Sequence, residues 1–312
     1  MSLVSDLNPL NLQTEKQKFC QNLNYNPQFT YNRNFTHRQL TLYGLPQVHF
    51  QKIAENYLKK NPYQPSLPNH TVFLTKTQII QHCRQLFQQL NIPPIPILFQ
   101  KHHLTRASIR KGHLIINERA QLTPRKLNSL LAHEVQTHYL RSHNQKLQNF
   151  PKPKTSQYLR TEEGLAILNS NYYKSQPNFS GLCHQYLGVC LAQTQNFSQI
   201  FSWRMSFPHT SFSQAWNFTT RIKRGLTDTS QPGGFTKDIV YLEGLIQVID
   251  WLSNQKNSYS DLYLGKIDTS HLPEIKKQAQ THGLAYPVFM ADLPAYLQFV
   301  AVCKAEVESL LL

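Results

Sequence analysis

Acidic residues are scarce in this 312-residue chain: 17 Asp and Glu stand against 32 Lys and Arg, a formal charge of +15. Such an imbalance points to an anionic partner, whether an acidic peptide, a nucleic acid or a membrane surface. Charged residues of either sign make up only 16% of the chain, and no dense Lys/Arg run interleaved with aromatics occurs, which argues against nucleic acid. Paired cysteines are also missing. Cys20, Cys83, Cys183, Cys190 and Cys303 are scattered with no C-x-x-C, which disfavours a disulfide framework or a thiolate zinc site and fits reduced thiols in a cytoplasmic protein. Residues 1–10 have no basic-plus-apolar leader pattern, and no run of 18 apolar residues exists. Residues 287–312 are apolar but broken by Asp292, Pro294, Lys304 and Glu306, so they read as packed helices and no membrane partner is expected. No internal repeat or inter-domain linker is evident. With 40% hydrophobic residues and 17 Phe, the chain is expected to fold as a single domain, residues 1–44 being an N-terminal segment packed on it.

What is present centres on Leu130-Leu131-Ala132-His133-Glu134-Val135-Gln136-Thr137-His138-Tyr139-Leu140. Two histidines bracket a glutamate in an apolar-periodic segment, as when a helix presents a metal and a base together. The common peptidase spacing is H-E-x-x-H; here it is one residue longer. At about 100° per residue, five steps leave the two rings roughly 140° apart on a regular α-helix. The spacing therefore predicts a single π-type turn between His133 and His138. His143 lies roughly 15 Å of helix rise from His133 and is read as a surface or supporting residue. Chance alone supplies some H-E-x-x-x-H matches in a chain with 14 histidines. The motif gains weight from Leu159-Arg160-Thr161-Glu162-Glu163-Gly164-Leu165-Ala166 downstream, where Glu162 or Glu163 offers a third ligand at a helix start. The competing reading is that both carboxylates only complement the helix dipole. Gly164 is expected to let this second helix approach the first closely.

A predominantly helical α+β protein is expected, with a zincin-like metallopeptidase core and a small sheet or hairpin beside the metal-bearing helix. Helical stretches are predicted near residues 15–23, 46–60, 78–90, 162–172, 181–193, 198–205 and 211–224, with loops at 61–69 and 146–158. A strand begins near Ile97, and residues 107–117 read as a hairpin turning at Lys111-Gly112. Thr123 then caps a helix with Pro124 at its first position. The hairpin's free edge is placed to hold an extended peptide by strand addition; building the core is its plainer role. Farther on, a glycine loop runs into a long apolar helix expected to be capped by Thr236. Lys237 in the first turn, with the free N–H groups there, is a candidate carboxylate site.

The combination of His133-Glu134-x-x-x-His138, Glu162-Glu163-Gly164-Leu165-Ala166 and Phe235-Thr236-Lys237-Asp238-x-x-Tyr241-Leu242-x-Gly244 resembles the tubulin tyrosine carboxypeptidases of eukaryotes and their bacterial relatives. The likeness covers about residues 10–300 and takes in Arg141, Asn144 and Leu264-Gly265-Lys266-Ile267. Members of that family are zinc metallocarboxypeptidases that remove a C-terminal Tyr, in some cases Glu, from tubulin tails. The resemblance implies Zn2+ held by His133, His138 and Glu163, the last chosen because the residue before glycine is the ligand in the related N-E-G-F-A motif. It implies Glu134 as base. The 144–161 loop is shorter than expected, so peptidase chemistry carries over better than tubulin as substrate. Tyr241 is nominated to stabilise the oxyanion, an ordinary core tyrosine being the alternative. Lys237 or Arg160 would meet the terminal carboxylate of a peptide or protein tail expected to be acidic. Two rivals stand: an aminopeptidase or dipeptidyl peptidase, in which Glu162 binds the substrate ammonium, and a non-enzymatic regulator on the same fold.

Overall fold

Among the described residues, four helices begin with a capping box in which glutamine, not glutamate, holds the third position: Thr36 with Gln39, Thr75 with Gln78, Asn196 with Gln199, and Ser211 with Gln214. The amide reaches back to the cap N–H as a carboxylate would, so a chain poor in acids still starts its helices sharply. The computed structural model describes residues 6–62, 72–101, 105–151, 153, 156–174, 176–254, 257–280 and 282–311. Its helices, in chain order, are α1 (Leu12–Gln21), α2 (His37–Leu40), α3 (Val48–Lys60), α4 (Lys76–Gln89), α5 (Pro124–His133), α6 (Leu140–Leu147) and α7 (Tyr158–Tyr172). There follow α8 (Ser180–Ala192), α9 (Phe197–Met205), α10 (Phe212–Lys223), α11 (Ile239–Ser253), α12 (Leu272–Lys276) and α13 (Leu293–Glu308). Three short strands, β1 (Ile97–Gln100), β2 (Ala107–Arg110) and β3 (His113–Asn117), complete a predominantly helical α+β protein. The loops expected at 61–69 and 146–158 lie partly outside the described residues.

The chain divides into two compact units. The first is built in the main from Met1–Pro65 and Phe179–Leu242, the second from Ser66–Asn178 and Glu243–Leu310. In unit 1, Phe19 of α1 packs edge-on against Phe197 and Phe201 of α9, with Phe29, Ala215 and Trp216 closing the cluster. Each such ring is worth roughly 1.5–3 kcal/mol when fully buried, which ties the N-terminal segment to α9 and α10. Glu15, on the same helix, accepts hydrogen bonds from Tyr25, Lys18 and the Gln28 N–H.

In unit 2, β3 is central: it pairs parallel with β1 and antiparallel with β2. The β2–β3 turn has Lys111 at φ 49° and Gly112 at φ 77°, the two left-handed residues that a twist-matched two-residue hairpin demands. This leaves β2 as an edge. Thr123 caps α5 by accepting from the Lys126 N–H, with Pro124 in the first turn. Helix α7 packs against α5, but its glycine serves a different neighbour from the one expected. Gly164 faces the backbone of Gly244 on α11, and Gly244 faces the backbone of Arg160. A methyl group on either would overlap the other helix's main chain, so α7 and α11 meet through paired glycines. Helix α13 buries Tyr296, Val300, Cys303 and Val307 as one stripe. Among the described residues, 288–308 form the one helical stretch long and apolar enough to cross a bilayer by composition.

Candidate metal centre

Between α5 and α6 the helix passes through a π-turn, Glu134–Tyr139. Its cause is visible in the burial register. Leu127, Leu131, Val135, Leu140 and Asn144 are all buried, at steps of four, four, five and four. The extra residue keeps one stripe facing the core before and after the turn, and it brings His133 and His138 to the same side. Their ring centroids lie 4.9 Å apart, at 78°. From the second turn of α7, not its start, Glu163 aims Oε2 at both: 3.9 Å from His133 Nε2 and 3.7 Å from His138 Nε2. Ligating atoms of all three lie within 4.8 Å of one another. A tetrahedral ion with bonds near 2.0–2.1 Å holds its ligands roughly 3.3 Å apart, so the three donors need only a small inward shift to grip one. Two imidazoles and a carboxylate are a donor set that suits zinc.

The surroundings prepare each group. Burial, then the neighbouring His138, pushes His133 down to about 4, leaving a neutral ring with a free lone pair. Burial disfavours charge on His138 too, but the hydrogen bond and charge of Glu162 outweigh it and raise its pKa. His138 Nδ1 lies 2.8 Å from Glu162 Oε1, which fixes the Nδ1–H tautomer and turns the Nε2 lone pair toward Glu163. Glu162 is buried, yet Lys266 and Arg141 together with His138 hold its carboxyl well below the usual range. Lys266 Nζ is 2.8 Å from Oε1, and Arg141 pairs with Oε2. Arg141 itself donates to the carbonyls of Leu262 and Ile267, 2.8 Å each.

Glu134 points the other way, to the sheet. The Ile109 N–H of edge strand β2 donates to its Oε2 at 3.2 Å. Burial pushes its carboxyl up to about 7, His138 working against the rise. Near neutrality such a group both takes and returns a proton.

Of the sequence candidates, His133, Glu134, His138, Glu162, Glu163 and Arg160 all belong to unit 2. Arg160 Nε donates to Glu243 Oε2 at 2.9 Å. Lys237 and Tyr241 belong to unit 1, where Lys237 Nζ and the Arg221 guanidinium lie 5.8 and 5.9 Å from the Tyr241 ring centre. Thr236 does not cap α11. Residues Thr236–Asp238 form a short 3-10 turn, and the Thr236 hydroxyl donates to the Leu40 carbonyl instead. The anion in this turn is Asp238, gripped by Arg221 at 2.7 and 2.8 Å. Sequence reasoning gave no role to the Ile109 N–H, Arg141 or Lys266. A backbone donor leaves no trace in side-chain identity, but an arginine on the buried stripe three residues past a metal-type histidine was a readable signal.

Comparison with known proteins bears on this constellation. The family model described as microtubule-associated tyrosine carboxypeptidase matches residues 28–305. Microtubule-associated tyrosine carboxypeptidase 1 of mouse is 30% identical over 94% of this chain and 66% of its own length. The human protein of that name is 28% identical over 94% and 65%, and mouse MATCAP2 is 27% identical over 96% and 60%. The chain thus spans less than two thirds of the length of these relatives.

Proposed function

Because the chain belongs to the microtubule-associated tyrosine carboxypeptidase family, we propose that it is a zinc-dependent metallocarboxypeptidase with a zincin-like core, releasing the C-terminal residue of a peptide or protein tail. The observation that carries this reading is the meeting of His133, His138 and Glu163 beside a half-buried Glu134 that is hydrogen-bonded to an edge strand. His133, His138 and Glu163 would hold the ion. Bound zinc supplies a Lewis acid that activates water and polarises the scissile carbonyl. Glu134 takes a proton from the attacking water at its carboxylate and returns it to the leaving amine. Glu162 keeps His138 in the tautomer that presents Nε2. The outer edge of β2, where Ile109 already turns its N–H toward Glu134, suits an extended substrate laid alongside as an added strand. Of the two cations the sequence offered for the terminal carboxylate, Arg160, a third exposed and in the same unit as the three ligands, is assigned to it. The relatives' names supply Tyr as the residue removed, and the +15 charge favours an acidic tail. None of the five cysteines is in a disulfide, which supports a reducing, cytoplasmic setting.

Peptides blocked at one end or the other test the reading. N-acetylated peptides ending in free Tyr or Glu are expected to lose that residue, and C-amidated ones to survive; the reverse would identify an aminopeptidase. Glu134→Gln should retain zinc while losing about 10²–10⁴-fold in kcat. Hydrolysis insensitive to chelators, or undiminished by Glu134→Gln, would refute the mechanism.

A further inference from the structure

Behind the π-turn lies a buried polar hub that neither the metal nor the base uses. Asn169, on α7 and fully buried, has every hydrogen-bonding position of its amide engaged. Its Nδ2 donates to Thr137 Oγ1 at 2.8 Å and to the Tyr263 hydroxyl at 2.9 Å. Its Oδ1 accepts from the hydroxyls of Tyr296 at 2.6 Å and Tyr259 at 3.1 Å. The directions are forced, because Nδ2 can only donate. Thr137 and Tyr263, having accepted from it, each have one proton left. Thr137 delivers its proton to the Ala132 carbonyl at 2.8 Å, and Tyr263 to the Gln136 carbonyl at 2.9 Å. One amide thereby reaches, through two hydroxyls, one main-chain carbonyl just before the π-turn and one within it.

The placement matters because the turn has an alternative. Without the insertion the segment would continue as regular α-helix, and His133 and His138 would diverge by roughly 140°. We propose that Asn169, acting through Thr137 and Tyr263, is a positioning residue that holds the π-turn and so sets the spacing of the two histidine ligands. The hydrogen bonds described for the hub go to neither the ligand side chains nor the base, so its effect on the metal is exerted through the main chain. This inference rests on the metal-site reading above.

Metal affinity, not turnover, is the direct readout. Thr137→Val and Tyr263→Phe remove one hydroxyl each with little change of shape. Each is expected to weaken Zn(II) binding, measured by competition with a chromophoric chelator, by about 10–100-fold, and to alter the visible spectrum of the Co(II)-substituted protein. Thr137→Ser, which keeps the hydroxyl, should restore wild-type affinity. Tyr296→Phe is the control: it removes a hydrogen bond from the same amide on the side away from the turn. It should lower the melting temperature while leaving zinc affinity within about threefold, well short of that range. Equal loss of affinity in Tyr296→Phe, or unchanged affinity in Thr137→Val and Tyr263→Phe, would overturn the proposal and leave only a packing role. So would failure of both hydroxyl variants to fold while Tyr296→Phe folds. A wild-type protein that binds no zinc would remove the metal-site reading first, a distinguishable result.

Discussion

Glu134, Glu162 and Glu15 are carboxyl groups whose surroundings set them apart. Glu134 is pushed up to about 7 because burial outweighs its partners. Glu162, more fully buried, stays an anion because Lys266, Arg141 and His138 crowd it. Splitting neighbouring carboxyl groups this way separates one that exchanges a proton from one that only orients. Glu15 is the third and has no part in the centre. Burial alone would raise its pKa, but hydrogen bonds from Lys18, Tyr25 and the Gln28 N–H lower it below the ordinary 4.5. A carboxyl group depressed in the folded state contributes stability that is present above its unfolded pKa and is lost as pH falls through the folded value. Wild type should therefore melt above Glu15→Gln at pH 6, and the gap should narrow progressively below pH 4.5. A gap independent of pH between 6 and 3 would mean that shape, not charge, fixes Glu15; calorimetry across that range decides.

At the scale of elements, the pairing of α7 with α11 positions Glu162 and Glu163, and it depends on Gly164 meeting Gly244. Alanine at 164 would gain about 1 kcal/mol of helix propensity, yet its methyl would strike main chain, which cannot rotate aside. Overpacking of this kind costs about 1–3 kcal/mol, so the steric cost wins. Gly164→Ala is expected to lower the melting temperature and weaken zinc binding together, since α7 carries one of the proposed ligands and the support of another. Loss of stability with full zinc affinity would show that α7 tilts without moving its carboxylates. The glycine was conspicuous in Glu162-Glu163-Gly164-Leu165-Ala166, but its partner lies eighty residues away and had no local signature. Elements with local chemistry were legible: Lys111-Gly112 for the hairpin, Thr123-Pro124 for the start of α5, and the five-residue histidine spacing for the π-turn. The cap assigned to Thr236 failed for the converse reason, its hydroxyl being drawn to the carbonyl of Leu40, distant in sequence. Asn169 and Tyr263 stayed hidden because hydrogen bonds between residues 94 apart follow from the fold and not from spacing.

For the molecule as a whole, the excess of 32 basic over 17 acidic residues has to be weighed against a centre that has used its nearest charges. Lys266 and Arg141 are paired with Glu162, and Arg160 with Glu243. Attraction of an acidic tail therefore falls mainly to the remaining surface charge, acting over distances at which salt matters. The screening length shrinks from about 10 Å at 0.1 M to about 3 Å at 1 M. Pairs at 2.8 and 2.9 Å within the centre are shorter than either length and partly desolvated, so kcat should hardly respond. Association should respond strongly. For a peptide with an acidic tail, kcat/KM is expected to fall several-fold between about 0.05 and 0.5 M salt, almost wholly through KM. A neutral peptide with the same terminal residue should change less than about twofold, since only its single terminal carboxylate feels the field. Comparing the two salt series separates the field of the whole surface from the contacts made at the centre. Equal slopes would mean that the charge of this chain serves some partner other than its substrate.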